Sequence, residues 1–222
     1  MTNSPIRVFL DGNVLAKPVT RTLLIVGGAY GKSFVPVWSA YAEAECDRHL
    51  RPGMKPVSDL RVLYGWEISP TGTGAGRYLA TDDKDRQIIA DTVAAEARFI
   101  VTENVDDFGE GDLAATGLSA VNPDLFMKHR LPRDSYLAAL GTLIHNRHRP
   151  PNALPDMHMA IAKNHPLLFE AHANLFPVTP AQSHHNPPRE LFRGVRCLRC
   201  GKTLSSATSL NAGLGPDCRL LV

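Results

Sequence analysis

The run Ile6–Leu10 is apolar with a single basic residue and stops abruptly at Asp11-Gly12-Asn13. A short strand that is apolar on both faces must be covered on both, which calls for a parallel sheet between helices. Parallel strands need helical crossovers, and the rest of the chain supplies them by alternation. Ser39 is placed to cap a helix over Ala40–Leu50. Thr81–Phe108 reads as one αβ unit, with acids Asp82, Asp83 and Asp85, an apolar helical stripe from Ile88 to Ala97, and the β-type run Arg98–Thr102. Arg61–Ile68 is expected to contain a strand and Leu118–Val121 another, whereas Phe34–Val37 reads as a stub. Asn122-Pro-Asp opens a helix, and Asp134–His148, Asp156–Asn164 and Pro166–Leu175 are helical between prolines. The fold class expected is α/β, a parallel sheet flanked by helices.

Composition narrows the function classes. Of 222 residues, 24 are basic and 22 acidic, so a net charge of +2 excludes a uniformly basic nucleic-acid coat. No segment approaches the ~18 consecutive apolar residues of a membrane span. MTNSPIRVFLDGN has no basic region followed by an apolar run, so no signal peptide is expected, and the expected location is cytoplasmic without a membrane partner.

Right-handed crossovers bring the ends of Ile6–Leu10 and Phe99–Thr102 to one sheet edge. Open α/β sheets collect ligands at that edge. Its carboxylates are Asp11 after the first strand, Glu45 or Glu43 on the Ala40 helix, Asp82 or Asp85 at the next helix start, and Asn104 or Asp107 beyond the later strand. Acids in a first helical turn also serve as ordinary caps, and Asn or Asp after a strand is ordinary turn chemistry. Asp11 resists that explanation, because an acid ending a buried strand has no solvated face. Converging carboxylates suit Mg²⁺ or Mn²⁺, and such ions activate water toward phosphodiesters.

The segments VFLDGNVL, WSAYAEAECDRHL and DDKDRQIIADTVAAEARFIVTENVDDF together resemble the PIN-domain endoribonucleases, most closely the VapC-like toxin branch. Gly117-Leu-Ser-Ala-Val-Asn-Pro-Asp-Leu-Phe is similar to the segment that follows in that branch. The resemblance spans roughly residues 5–176. It implies a PIN-like domain over 1–178 and a ribonuclease whose metal-binding acids are Asp11, Glu45 and Asp85. Asn104 stands where the family often has a fourth Asp, and Asp107 is the alternative. Thr102 would help place the attacking water. The resemblance further implies an RNA substrate, an antitoxin partner and a homodimer. The departure at Asn104 opens an alternative, a non-catalytic RNA- or protein-binding relative in which the tail does the recognition.

After Pro177 the composition turns Pro- and His-rich, and 179–194 reads as a linker to a small module over 195–222. Such a tail is too short for its own core and needs a staple. Cys197-x-x-Cys200-Gly, followed by Cys218 after a Gly-x-Gly-Pro turn, presents three soft ligands suited to structural Zn²⁺. The pattern is similar to a C-x2-C…G-x-G-P-x-C, zinc-ribbon-like module at the C-termini of bacterial and phage proteins. His184, His185 or Asp217 would complete the shell, or the site is open to water. Cys46, far away on the Ala40 helix, reads as a core thiol. Arg189, Arg193, Arg196, Arg199, Lys202 and Arg219 make the tail locally basic, which suits phosphate contacts to RNA and equally an ordinary solvated charged face.

Overall fold

The computed structural model describes residues 5–50, 53–146, 150–179 and 190–220. In chain order the elements begin with β1 (Ile6–Leu10), α1 (Gly12–Leu15), α2 (Pro18–Gly31), β2 (Phe34–Val37), α3 (Ala40–Arg48) and α4 (Val57–Tyr64). The middle consists of α5 (Arg86–Ala94), β3 (Phe99–Val101), α6 (Glu110–Thr116), β4 (Ser119–Val121) and α7 (Pro123–Arg130). The remainder is α8 (Arg133–His145), α9 (Leu154–Ile161), α10 (Pro166–Ala171), β5 (Phe192–Gly194), α11 (Ala207–Ala212) and α12 (Pro216–Arg219).

Among the described residues there is one sheet, in the order β2-β1-β3-β4-β5. The first four strands are parallel and β5 is antiparallel to β4. The chain moves from β1 outward to β2, then back across β1 to β3. Right-handed crossovers in opposite directions put their helices on opposite faces, so α2 covers one face and α3 and α5 the other. Strands β1, β3 and β4 carry fully buried residues such as Val8, Phe9, Ile100 and Ala120, as expected of a sheet sandwiched between layers. On the α2 side, Phe126 from α7 packs edge-on against Phe34 (centroids 5.1 Å apart) and tilted against Phe99 (5.9 Å).

Local chemistry sets several boundaries. Ser39 caps α3 by accepting from Ala42 N, and Asn122 caps α7 by accepting from Asp124 N, with Pro123 in the first turn. Asp124 is buried because both its carboxylate oxygens cap α10, accepting from Leu167 N (3.0 Å) and Leu168 N (2.9 Å).

Three sequence expectations need correction. Arg61–Ile68 contains no strand. Its first half is the end of α4, held where Arg61 meets Glu43 (3.1 Å), and Trp66 beyond it packs on Trp38. Phe34–Val37 is a full strand, paired with β1 from Ile6↔Phe34 to Phe9↔Val37. Residues 192–194, expected as the end of a linker, form β5 on the edge of β4, from Val121↔Phe192 to Ser119↔Gly194. Gly194 permits this with a φ of 135°, where a Cβ would lie 2.5 Å from Ser119 Cα. Residues 180–189 of that stretch lie outside the described residues.

The aromatic contacts of Phe126 give the first test. Phe126→Ala should destabilise the protein by about 3–5 kcal/mol, read as a lower urea midpoint at unchanged slope. A change under about 1 kcal/mol would mean that this layer is not part of the common core.

Candidate metal centres

The acid cluster forms where β1 and β3 end side by side. Asp11 is 1 % exposed, and its backbone N–H continues the sheet by donating to Val101 O (3.1 Å). One carboxylate oxygen accepts from Gly12 N (2.7 Å), and the other from Thr102 Oγ1 (2.7 Å) and Asn13 Nδ2 (2.8 Å). Asn13 also donates to Thr102 Oγ1, and Asn104 N donates to the same hydroxyl. The turn after β1 and the turn after β3 are therefore knitted around one carboxylate.

The second and third acids arrive on separate elements. Glu45 lies on α3, with one carboxylate oxygen buried and without a hydrogen-bond partner. Glu43, two residues earlier, is committed elsewhere: it accepts from Trp38 Nε1 (2.9 Å) and pairs with Arg61. Asp85 is 6 % exposed at the N-cap position of α5, yet its side chain makes no capping bond and its Oδ2 has no hydrogen-bond donor. The capping explanation for this acid fails on geometry.

Asp107 is brought in by a close pairing of two chain segments. Asp82 N donates to Asp107 O (3.0 Å) and Gly109 N to Thr81 Oγ1 (3.0 Å). At Gly109 a Cβ would lie 2.4 Å from Ala80 O, so only glycine allows that approach. Carboxylate oxygens of Asp82, Asp85 and Asp107 lie within 4.8 Å of one another. Lys84 Nζ sits over this trio, 3.3 Å from Asp107, 3.9 Å from Asp85 and 4.0 Å from Asp82. Asn104 is exposed, at the head of the turn that carries Asp107, and its side chain does not cap that turn. A surface pocket lined by Thr81, Asp82, Lys84 and Arg86 opens alongside, although Arg86 is already bound to Asp83 and Thr81 O.

The charges interact strongly. Burial pushes the Asp11 carboxyl up to about 6, with Glu45 and Asp107 adding to the rise and the Thr102 and Gly12 donors opposing it. Burial likewise pushes Asp85 up to about 7, reinforced by Asp11, Asp107 and Glu45 and opposed by Lys84. Four acids from four segments thus feel one another, and two of their buried oxygens have no hydrogen-bond donor. Of the acids, Asp82, Asp85 and Asp107 have oxygens within 4.8 Å of one another, and Asp11 and Glu45 stand outside that group. Asp91 also leaves one oxygen bare, but its other oxygen takes Gly72 N and Gln87 Nε2, and it lies outside the group. Tyr41 was not anticipated; it stands one helical turn before Glu45, a spacing that shares a face, and its hydroxyl donates to Lys84 O (2.8 Å).

The cysteine group occupies the opposite end of the sheet. The sulfurs of Cys197, Cys200 and Cys218 lie within 4.8 Å of one another and could bind a metal such as zinc. Gly201 follows the knuckle with a φ of 74°, close to Ile6 and to the Arg98 and Arg130 guanidiniums. Ile6 opens β1 and Arg98 immediately precedes β3, so this is the edge where the parallel strands begin. Against the effect of burial, the N–H groups of Gly215, Cys200 and Arg199 pull the Cys197 thiol down, favouring thiolate. Burial and the neighbouring sulfurs push Cys218 up, as expected when one thiolate already carries the charge. Among the described residues this group has three members. His184 and His185 lie outside them, and Asp217 is exposed and not part of the group. Cys46 is a fully buried core thiol.

Two of the tail's basic residues are not available to a ligand. Arg193 donates to Phe108 O and Asp106 O and pairs with Glu190, and Arg196 donates to Gly117 O (2.6 Å) and Thr203 Oγ1 (3.1 Å). Among the described residues no helix is long and apolar enough to cross a membrane.

Residues 188–220 match a family of unknown function, DUF6011, and the match includes β5 and all three tail cysteines. No curated protein and no solved structure matches the chain.

The raised Asp11 and Asp85 carboxyls dictate a pH dependence. Between the usual value of 3.8 and about 7 the folded state holds more protons than the unfolded one, so these groups cost stability as pH rises through that window. Buried histidines His158 and His172 act in the opposite sense, so the acid contribution is read as a difference. Without divalent cations, the Tm advantage of Asp85→Asn over wild type should grow from pH 4 to pH 8, and excess Mn²⁺ should remove it. A pH-independent difference would contradict the clustered charges. At the other end of the sheet, protein purified without chelator should contain about one zinc per chain, lost in Cys218→Ser together with a lower Tm. Zinc-free wild type would dismiss that centre.

Proposed function

We propose that this chain is a divalent-cation-dependent endoribonuclease with a PIN-like fold, the toxin of a toxin–antitoxin pair, carrying a zinc-stapled C-terminal module. The observation that supports it most is the pair of buried, donor-less carboxylate oxygens, Glu45 Oε2 and Asp85 Oδ2, within a mutually repelling acid group at the ligand-collecting edge of a parallel sheet. RNA as the substrate and an antitoxin as the partner rest on the resemblance of the acid-bearing segments to the VapC-like branch.

Asp11, Glu45, Asp85 and Asp107 would hold Mg²⁺ or Mn²⁺, whose contribution is to polarise the phosphodiester and ease ionisation of water. The protein groups divide the remaining work. Gly12, Asn13 and Thr102 saturate Asp11 with donors, fixing its orientation before any ligand arrives. Thr102, which accepts from Asn13 and Asn104 N while donating to Asp11, is locked as a donor toward the carboxylate. Among the described residues, Lys84 is the cation paired with Asp82, Asp85 and Asp107, with its side chain 63 % exposed. With a divalent ion held by the carboxylates, the Lys84 ammonium would be released to meet a phosphate oxygen.

One observation favours the second reading, in which the tail recognises RNA without cleavage. Arg98, Arg130, Lys128 and Arg199 gather around the cysteine end as a positive collar, and burial together with that charge pushes the His129 imidazole down to about 4 and keeps it neutral. A single assay separates the two. With Mn²⁺ or Mg²⁺, wild type should cleave total RNA, and Asp11→Asn and Asp85→Asn should each lower the rate at least ~100-fold, beyond what loss of an outer contact gives. Wild type that binds RNA without cutting it, or a double variant that cuts equally well, would favour the recognition reading and sink the nuclease.

A further inference from the structure

The turn that carries Asp107 is held from two sides. Asp82 N donates to the Asp107 carbonyl on one side. On the other, a single guanidinium nitrogen, Arg193 Nη1, donates to Phe108 O (2.8 Å) and to Asp106 O (3.3 Å), the carbonyls on either side of Asp107. Arg193 belongs to β5, in the segment matched by the family of unknown function and four residues before Cys197. Its fork is aimed by Glu190, which accepts from Nε (3.1 Å) and pairs with Nη2. The strand itself is fixed by the β4 ladder, by Asn122 N donating to Leu191 O (2.8 Å), and by Arg196 at Gly117 O.

From this geometry we infer that Arg193 is a positioning residue for the acid centre: the C-terminal module reaches along the sheet edge and fixes the Asp107 turn, so that the cation site is completed from the tail. The inference rests on the cation reading above. Main-chain clamping matters here because the Asp107 carboxylate has few restraints of its own. Its one hydrogen-bonding side-chain partner among the described residues is Lys84, a long and mostly exposed side chain. A ligand on a three-residue turn stays in place only if the turn does, and partners outside the ligand shell commonly govern affinity in this way.

The module's basic residues therefore have separate duties. Arg193 serves the turn at the end of the sheet where the acids lie. Arg196, three residues on and projecting to the other end, ties the cysteine knuckle to the turn before β4 through Gly117 O. The Arg193 guanidinium makes two hydrogen bonds to the sheet domain and the Arg196 guanidinium one, and only the Arg193 pair borders an acid.

That asymmetry supplies the experiment. Mn²⁺ affinity of the full-length, zinc-loaded protein is measured by electron paramagnetic resonance titration for wild type, Arg193→Met, Arg193→Lys and Arg196→Met. Arg193→Met should weaken Mn²⁺ binding about tenfold, and Arg193→Lys, which can reach one carbonyl, should recover part of the loss. Arg196→Met should stay within roughly twofold of wild type even where its Tm falls, since its contacts are with the opposite edge. Should Arg193→Met fail to fold, Arg193→Gln is judged by the same criterion. Unchanged affinity in the Arg193 variants overturns the inference while leaving the cation site standing. So does an equal loss in Arg196→Met, which would mean that only the attachment of the strand matters. If wild type itself binds no Mn²⁺, the cation reading and this inference fall together.

Discussion

The carboxylate of Asp11 is the constraint on which the rest of the structure turns. A charge with essentially no exposure is tolerated only where donors surround it, and here they come from both strand ends, Gly12 and Asn13 after β1 and Thr102 after β3. Meeting that demand fixes the register of β1 on β3, with Leu10 opposite Val101, and forces the two following turns to cross. The same burial prevents the acids from relaxing into solvent, so the folded chain stores a repulsion that only a proton or a cation relieves.

Much of this was legible in local sequence. Ile6–Leu10, Phe99–Val101 and Ser119–Val121 stand out because uninterrupted apolar runs flanked by polar turns have few other fates, and Ser39 and Asn122 announce their helices as caps. Arg61–Ile68 misleads because Arg-Val-Leu-Tyr-Gly-Trp-Glu-Ile is β-like in composition, while its helical state depends on Glu43 and Trp38, which are distant in sequence. Strand β5 has no local signal: Phe-Arg-Gly is too short for a period, and its pairing rests on a glycine conformation opposite Ser119. Within the site, the choice between Glu43 and Glu45 is made by the Trp38 indole, and the choice between cap and ligand at Asp85 by a capping bond that does not form. Neither is visible without the third dimension.

The two candidate centres differ in hardness as well as in place. Carboxylates at one end of the strands suit Mg²⁺ or Mn²⁺, and thiols at the other suit zinc. The two groups are separated by the length of the strands. Arg130 lends positive charge to the sulfur end and Lys84 does so at the oxygen end.

Strand β5 also has a consequence for the order in which the chain is made. Among the described strands it comes last in chain order, and until it is made the outer edge of β4 lacks its partner in this sheet. A nascent chain that has already built β1 to β4 therefore displays an open β edge, a feature that invites pairing with other chains. Ala120 and Val121 are fully buried in the finished fold, so the exposed edge would be largely apolar. Whatever protects the growing chain during that interval, whether a chaperone or speed, guards the same edge from which Arg193 later reaches Asp107's turn.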